Sequence, residues 1–108
     1  MFFDYPKDYK AKEVVPGWMV HFILGEHMSM SRHNIKPKTV APMHSHVNEQ
    51  MGMMLDGEFE MTIGDETKLL KKGDTYIVPP NVIHGGTTNA KAASIVEAFS
   101  PPRDYHKL

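Results

Sequence analysis

Turn signals recur along this chain about every eight residues, and that spacing leaves room for short strands and little else. From Gly17 onward the breaks fall at Gly25-Glu26, Lys36-Pro37, Asp56-Gly57, Gly64-Asp65, Lys72-Gly73-Asp74, Pro79-Pro80-Asn81, Gly85-Gly86 and Pro101-Pro102. Short apolar runs lie between them, and residues 18–24, 28–35, 75–78, 81–85 and 94–99 are the strand candidates. No long stretch keeps apolar residues three and four apart without an intervening Gly or Pro, so helix content should be minor. The clearest strand pair is 50–55 and 58–63, joined by Asp56-Gly57, a favoured two-residue hairpin turn. In its second member Phe59, Met61 and Ile63 alternate with Glu58, Glu60 and Thr62, which gives one buried and one wet face. The expected fold class is all-β, a sandwich or barrel.

With 108 residues, of which 41% are hydrophobic, the chain can fill one core but not two. Residues 1–17 carry Pro6 and Pro16 and show neither helical nor strand periodicity. They are read as an N-terminal arm that wraps the domain or a partner, and residues 18–108 as the barrel domain. Lys and Arg number 12 against 13 Asp and Glu, so no basic excess exists to collect phosphates, and nucleic-acid binding is not expected. The stretch Met1-Phe2-Phe3-Asp4-Tyr5-Pro6 has neither a basic region nor an apolar run suited to a signal peptide, and no later segment could span a bilayer. A cytoplasmic location without membrane partners is the expectation.

There is no cysteine, so a metal site would have to be built from imidazole, carboxylate or amide ligands, and seven histidines make that possible. The segment His44-Ser45-His46-Val47-Asn48-Glu49-Gln50 is the richest in such groups. On a strand, residues two and four apart share a face, so His44, His46 and Gln50 would converge if no bulge intervenes. Glu49 has the opposite parity and becomes the rival ligand if a bulge shifts the register. A further histidine, His84, follows the proline turn at Pro79-Pro80-Asn81. His21, His27, His33 and His106 lie outside these segments and read as surface or satisfied side chains.

These two segments resemble the paired motifs of the cupin superfamily, small jelly-roll β-barrels. The first family motif is His-x-His, then Glu, then Gly; here it reads His44, His46, Gln50 where Glu is usual, and Gly57. The second reads Gly73, Pro79, Asn81 where Gly is usual, and His84. The resemblance implies one divalent transition-metal ion, with Ni, Zn, Fe, Mn and Co all compatible with an imidazole-rich site. A neutral amide in place of a carboxylate would leave the ion its full double charge and make it a stronger Lewis acid.

A narrower similarity is to the pectin-degradation cupins, which linearise 4,5-unsaturated uronate monosaccharides. It rests on His-Ser-His, Glu-Gln, Asp-Gly-Glu-Phe-Glu, Pro-Pro-Asn-Val-Ile-His-Gly and the tail Phe-Ser-Pro-Pro-Arg. That resemblance implies a small sugar acid as substrate, with an acidic residue, an aromatic and an arginine facing the metal. Here these are Glu97, Phe99 and Arg103, although Asp is more usual at the first position. Glu97 and Arg103 would be catalytic, Phe99 and Arg103 substrate-binding. Glu97 and Phe99 share parity with Ile95, so an inward carboxylate with a raised pKa is expected. The competing readings are an Fe(II)-dependent oxygenase or lyase and a non-catalytic sugar-acid or effector-binding module. Met51, Met53 and Leu55 have parity opposite to Gln50, and so apolar an outward face predicts a twofold homodimer.

Overall fold

A computed structural model describes all 108 residues. Nine strands account for the regular structure: β1 (Lys10–Val15), β2 (Trp18–Leu24), β3 (Ser29–Ile35), β4 (Val40–His44), β5 (Glu49–Ile63), β6 (Glu66–Lys71), β7 (Thr75–Val78), β8 (His84–Thr87) and β9 (Ala93–Ser100). The single helical element is a 3-10 turn, Tyr105–Lys107, so no helix is long and apolar enough to cross a membrane. The chain is all-β, with strands in the order β1-β2-β3-β9-β5-β8-β4 and with β6 and β7 each added to β5.

β5 binds the two halves of this small jelly-roll barrel together. Its first part pairs with β9 and β7, through Gln50↔Phe99 and Gln50↔Val78. Its second part pairs with β6 and β8, through Phe59↔Leu70 and Ile63↔His84. Both inner faces follow the alternation written in the sequence: Val20 and Phe22 on β2, Phe59 and Met61 on β5, and Ile95 and Phe99 on β9 are buried together.

The Asp56-Gly57 hairpin expected from the sequence is not formed, because β5 continues through it. The register against β9 shifts between Met54 and Asp56 and then resumes at Asp56↔Ser94 and Gly57↔Ala93. The sequence misleads here because a glycine that accepts positive φ suits a turn and a bulge equally. Gly57 has φ +79° and lies so close to the neighbouring strand that an added Cβ would sit 1.8 Å from the Ala92 carbonyl oxygen. The real hairpin comes one turn signal later, where Gly64 and Asp65 join Ile63 to its partner Glu66.

Three strands carry no alternation that marked them beforehand. β1 forms within the segment read as an arm and pairs with β2 from Lys10↔Phe22 to Val15↔Trp18. Its side chains, like those of β4 and β6, are mostly exposed or half-buried, so backbone pairing rather than an apolar face makes these segments strands. The strand placed at 81–85 starts later, at His84, after a left-handed residue at Asn81 with φ +66°.

Gly57 and Gly73 separate strain from collision. Gly73 also has positive φ, +89°, but nothing lies within 4 Å of a Cβ placed there. Gly73→Ala should cost about 1–2 kcal/mol for the left-handed backbone alone, and Gly57→Ala about 1–3 kcal/mol beyond that for the contact with Ala92. Urea denaturation of both variants checks the difference, and equal losses would contradict the continuous β5.

Candidate metal centre

His44 ends β4 and stands opposite His84, the first residue of β8, across an antiparallel pair. His46 lies in the link between β4 and β5, so the two motif histidines do not share one strand as the parity argument supposed. The link is clamped instead: the Asn48 side chain donates to the Pro101 carbonyl at 2.7 Å, and the Asn81 amide donates to the His46 carbonyl at 2.8 Å. Asn takes the left-handed conformation that glycine would otherwise supply at the second motif, because its short polar side chain tolerates αL.

The three rings come together with centroids 4.3 Å apart for His44 and His84, 4.8 Å for His46 and His84, and 5.7 Å for His44 and His46. One ligand-type nitrogen from each lies within 4.8 Å of the other two. Each Nδ1 faces a backbone carbonyl: Pro42 for His44 at 2.9 Å, Asn48 for His46 at 3.0 Å, and Val82 for His84 at 2.9 Å. A carbonyl only accepts, so these contacts favour the tautomer with the proton on Nδ1 and a free lone pair on Nε2. Burial, then the Arg103 guanidinium and the neighbouring His84 and His44 rings, push His46 down to about 4. Burial likewise lowers His84. At neutral pH both rings are therefore uncharged, with one ring proton each, the state a metal needs.

Gln50 starts the buried face of β5, and its Oε1 lies 3.1 Å from His46 Nε2. Its amide nitrogen donates to Glu97 Oε2, which identifies the atom facing His46 as the carbonyl oxygen. His46 thus has an acceptor at each nitrogen, and a neutral ring with one proton satisfies only one of them; with that proton on Nδ1, Nε2 and Gln50 Oε1 are two acceptors face to face, which a shared cation would relieve. Ligands at right angles around an ion, with bonds of about 2.1 Å, stand about 3 Å apart. The donor set accordingly fits a divalent transition metal. Glu49 is exposed, pairs with Ser100 of β9 and is not among the residues that line the cavity with the three rings.

Glu97 is inward and buried at 7% exposure, on the same face as Ile95 and Phe99. The expectation of a raised pKa is overturned. Burial does oppose its charge, but His33 beside it and hydrogen bonds from His33, Tyr76 and Gln50 outweigh that penalty and hold the carboxyl below its ordinary value. Tyr76 donates to Glu97 Oε2, and burial together with the Glu97 charge raises its phenol well above 10, so it stays a donor. His33 Nε2 lies 2.9 Å from Glu97 Oε1. His33 is satisfied, as expected of a histidine outside the motifs, yet it lines the same cavity as the three motif rings. The available sign was its parity with buried Ser31 and Ile35 on β3, beside β9.

The cavity measures about 200 Å³ and is walled mainly by apolar side chains, among them Trp18, Phe59 and Ile95, with the histidines, Gln50, Glu97 and Arg103 as its polar groups. Phe99 sets its ring 5.8 Å from that of His46. The Arg103 guanidinium lies 5.9 Å from the Phe99 ring and 5.4 Å from the Tyr105 ring. It makes no ion pair, since the four acid–base contacts of the chain involve other residues.

Residues 31–99 match the family described as Cupin domain. The H2HPP isomerase of Bacillus subtilis is 33% identical over 81 residues, covering 66% of this chain and 34% of that protein. The pectin degradation protein KdgF of Dickeya dadantii (strain 3937) is 33% identical over 61 residues, covering 56% of each chain. The chain thus spans about a third of the first relative and a little over half of the second. Among solved structures, KdgF from Halomonas sp. superposes with a TM-score of 0.85 at 22% identity, covering 100% of this chain and 99% of that one. At that identity the likeness is one of fold.

The depressed Glu97 pKa sets the sign of a stability test in metal-free protein. Its contribution is fully present above the ordinary carboxylate pKa and disappears as pH falls through the lower native value. Glu97→Ala should therefore cost about 3–5 kcal/mol at neutral pH, where three donors lose their acceptor. The gap to wild type should narrow below about pH 4. Urea denaturation at pH 7 and in acid measures both, and a gap that widens in acid would reverse the assignment.

Proposed function

Since the chain belongs to the cupin family, we propose that it is a metal-dependent enzyme that converts 4,5-unsaturated uronate monosaccharides, breakdown products of pectin or alginate, to the open-chain keto form. Its metal ligands are His44, His46, Gln50 and His84. The observation that carries the reading is that His46, a neutral ring with one proton, has a carbonyl oxygen at each nitrogen, Asn48 O at 3.0 Å and Gln50 Oε1 at 3.1 Å, so that one of the two contacts sets acceptor against acceptor. Substrate class follows from Arg103, an unpaired guanidinium at a cavity of about 200 Å³. That volume is below the roughly 300–1,000 Å³ of drug-sized sites, so a single sugar acid suits it better than an oligosaccharide. The names of the two curated relatives, an isomerase and a pectin degradation protein, support a rearrangement of a sugar acid rather than an oxidation.

Arg103 pairs with the substrate carboxylate through two parallel hydrogen bonds, and Phe99 supplies the apolar wall against which the ring lies. Three imidazoles and an amide bring no charge, so a bound ion of nickel, zinc, iron, manganese or cobalt would supply an undiminished Lewis acid for the oxygen that becomes negative. Ring opening removes the proton from the anomeric hydroxyl, breaks the C1–O5 bond and leaves an aldehyde at C1 and an enolate at C5. Protonation at C4 then completes the keto acid, with no net change in atoms or electrons. Glu97 is ionised in the cavity wall and takes the first proton, for which it must give up one of its present donors.

The outward side of the β3-β9-β5-β7 sheet carries exposed Met30, Met51, Met53 and Ile77, Met51 at 53% exposure. A sheet face of that composition seeks a second layer, and a second copy of this chain in a twofold dimer would provide it.

The chemistry is tested by following unsaturated galacturonate by NMR with metal-loaded and chelated protein. Loss of the C4 vinyl proton is expected only with metal. Traces that both coincide with the enzyme-free control would leave a binding module in place of an enzyme, and oxygen uptake by an Fe(II)-loaded sample would point to an oxygenase. At saturating metal, Arg103→Ala should raise KM by about tenfold or more, since a charged two-point contact is lost. Equal turnover by wild type and Glu97→Ala would remove the proton-transfer role. For the dimer, light scattering at micromolar concentration should return twice the chain mass, and Met51→Lys should shift it to the monomer.

A further inference from the structure

A line of hydrogen bonds crosses four neighbouring strands, β2, β3, β9 and β5, and ends at the candidate metal centre. The Trp18 indole N–H donates to His33 Nδ1 at 2.9 Å. His33 Nε2 lies 2.9 Å from Glu97 Oε1 and 2.8 Å from Ser31 Oγ, and Glu97 Oε2 receives both Tyr76 and Gln50. Trp18, His33, Gln50 and Glu97 are all buried, at 9%, 3%, 4% and 7% exposure. Water is therefore not at hand to repair a mismatch between donors.

The polarity of this line is set at its far end. Indole nitrogen has a hydrogen to give and no lone pair to offer, so His33 Nδ1 must accept. The one remaining ring proton then sits on Nε2 and points at Glu97. With Tyr76 and Gln50 donating from the other side, position 97 must accept on both of its atoms, which an ionised carboxylate can do and an amide cannot. Gln50 in turn has no choice of flip, because turning its oxygen toward Glu97 would set acceptor against acceptor.

We propose that Trp18 fixes the tautomer of His33 and thereby makes a residue that accepts on both atoms obligatory at position 97, the condition under which the Gln50 carbonyl oxygen turns toward the three histidine nitrogens. The proposal rests on Gln50 being a ligand, as read above. Trp18 makes no hydrogen bond to the motif histidines; its influence is the choice of tautomer in His33, the ring it bonds directly. Glu97 thereby has a task that is separate from any contact with substrate.

The wild-type tautomer is read directly by a long-range proton–nitrogen correlation spectrum of metal-free protein. His33 should carry its proton on Nε2, and a ring protonated on Nδ1 or on both nitrogens would overturn the proposal whatever the variants do. Affinity for nickel(II), measured by calorimetry, supplies the second arm. Glu97→Gln places an amide nitrogen against donors on one side or the other and should weaken binding about 10–100-fold, the range for lost partners of metal ligands. Trp18→Phe alone should stay within about twofold of wild type, because the Glu97 carboxylate still holds the His33 proton on Nε2 when the indole is gone. In the double variant His33 is free to move its proton to Nδ1 and accept from the new amide, so binding should recover at least about tenfold over Glu97→Gln. Such a rescue is not the behaviour of a merely structural tryptophan. Wild-type affinity in Glu97→Gln, or a double variant no tighter than Glu97→Gln, would refute the proposal. A wild-type protein that binds no nickel(II) would instead sink the ligand role of Gln50, with the tautomer spectrum still deciding whether Trp18 sets the line.

Discussion

A carboxylate sealed inside a small barrel must find donors or lose its charge, and Glu97 finds three. His33, Tyr76 and Gln50 belong to three different strands, β3, β7 and β5, so the requirement of one buried anion ties together most of one wall. Each donor is also constrained in return. Tyr76 is held as a phenol, His33 as a single tautomer, and Gln50 with its oxygen outward from the carboxylate. An unpaired buried charge would cost several kcal/mol, and satisfying it in this way converts that cost into a preference for one arrangement over its mirror alternatives.

The same logic runs through the histidines. Three backbone carbonyls take the Nδ1 protons of His44, His46 and His84, and a neutral ring has only one proton to give. Three ring nitrogens and one amide oxygen then face a common space. The partners of the three rings are main-chain carbonyls, which ties the ring geometry to the strands and to the clamped β4–β5 link rather than to side chains that could drift.

Continuity of β5 is what lets these two sets of constraints meet. It contributes Gln50 to the wall that holds Glu97, and it pairs through Ile63 with His84 in the other half of the barrel. Gly57 allows the passage, since any side chain there would strike the Ala92 carbonyl. The glycine of the first cupin motif therefore serves the site indirectly, by allowing one strand to serve both sheets.

Regular turn signals and strict two-residue alternation were enough to read the fold class and the buried faces of β5 and β9, because these follow from local backbone geometry; His44, His46 and His84, which the structure brings together, were picked out by spacing and by likeness to the family motifs, although the single strand assumed for the first two is not formed. Strands β1, β4 and β6 were not legible, since they are held by backbone pairing and have no apolar stripe to announce them. Asp56-Gly57 was misread, because positive φ at glycine does not say whether the chain turns or bulges. The direction of the Glu97 pKa was missed as well: parity shows that a side chain points inward, but not which donors wait there. Sequence by itself determined which residues face the interior and what chemistry they carry. Only the tertiary structure decided who hydrogen-bonds to whom, and with it every charge and tautomer at the site, because those depend on partners from strands far apart along the chain.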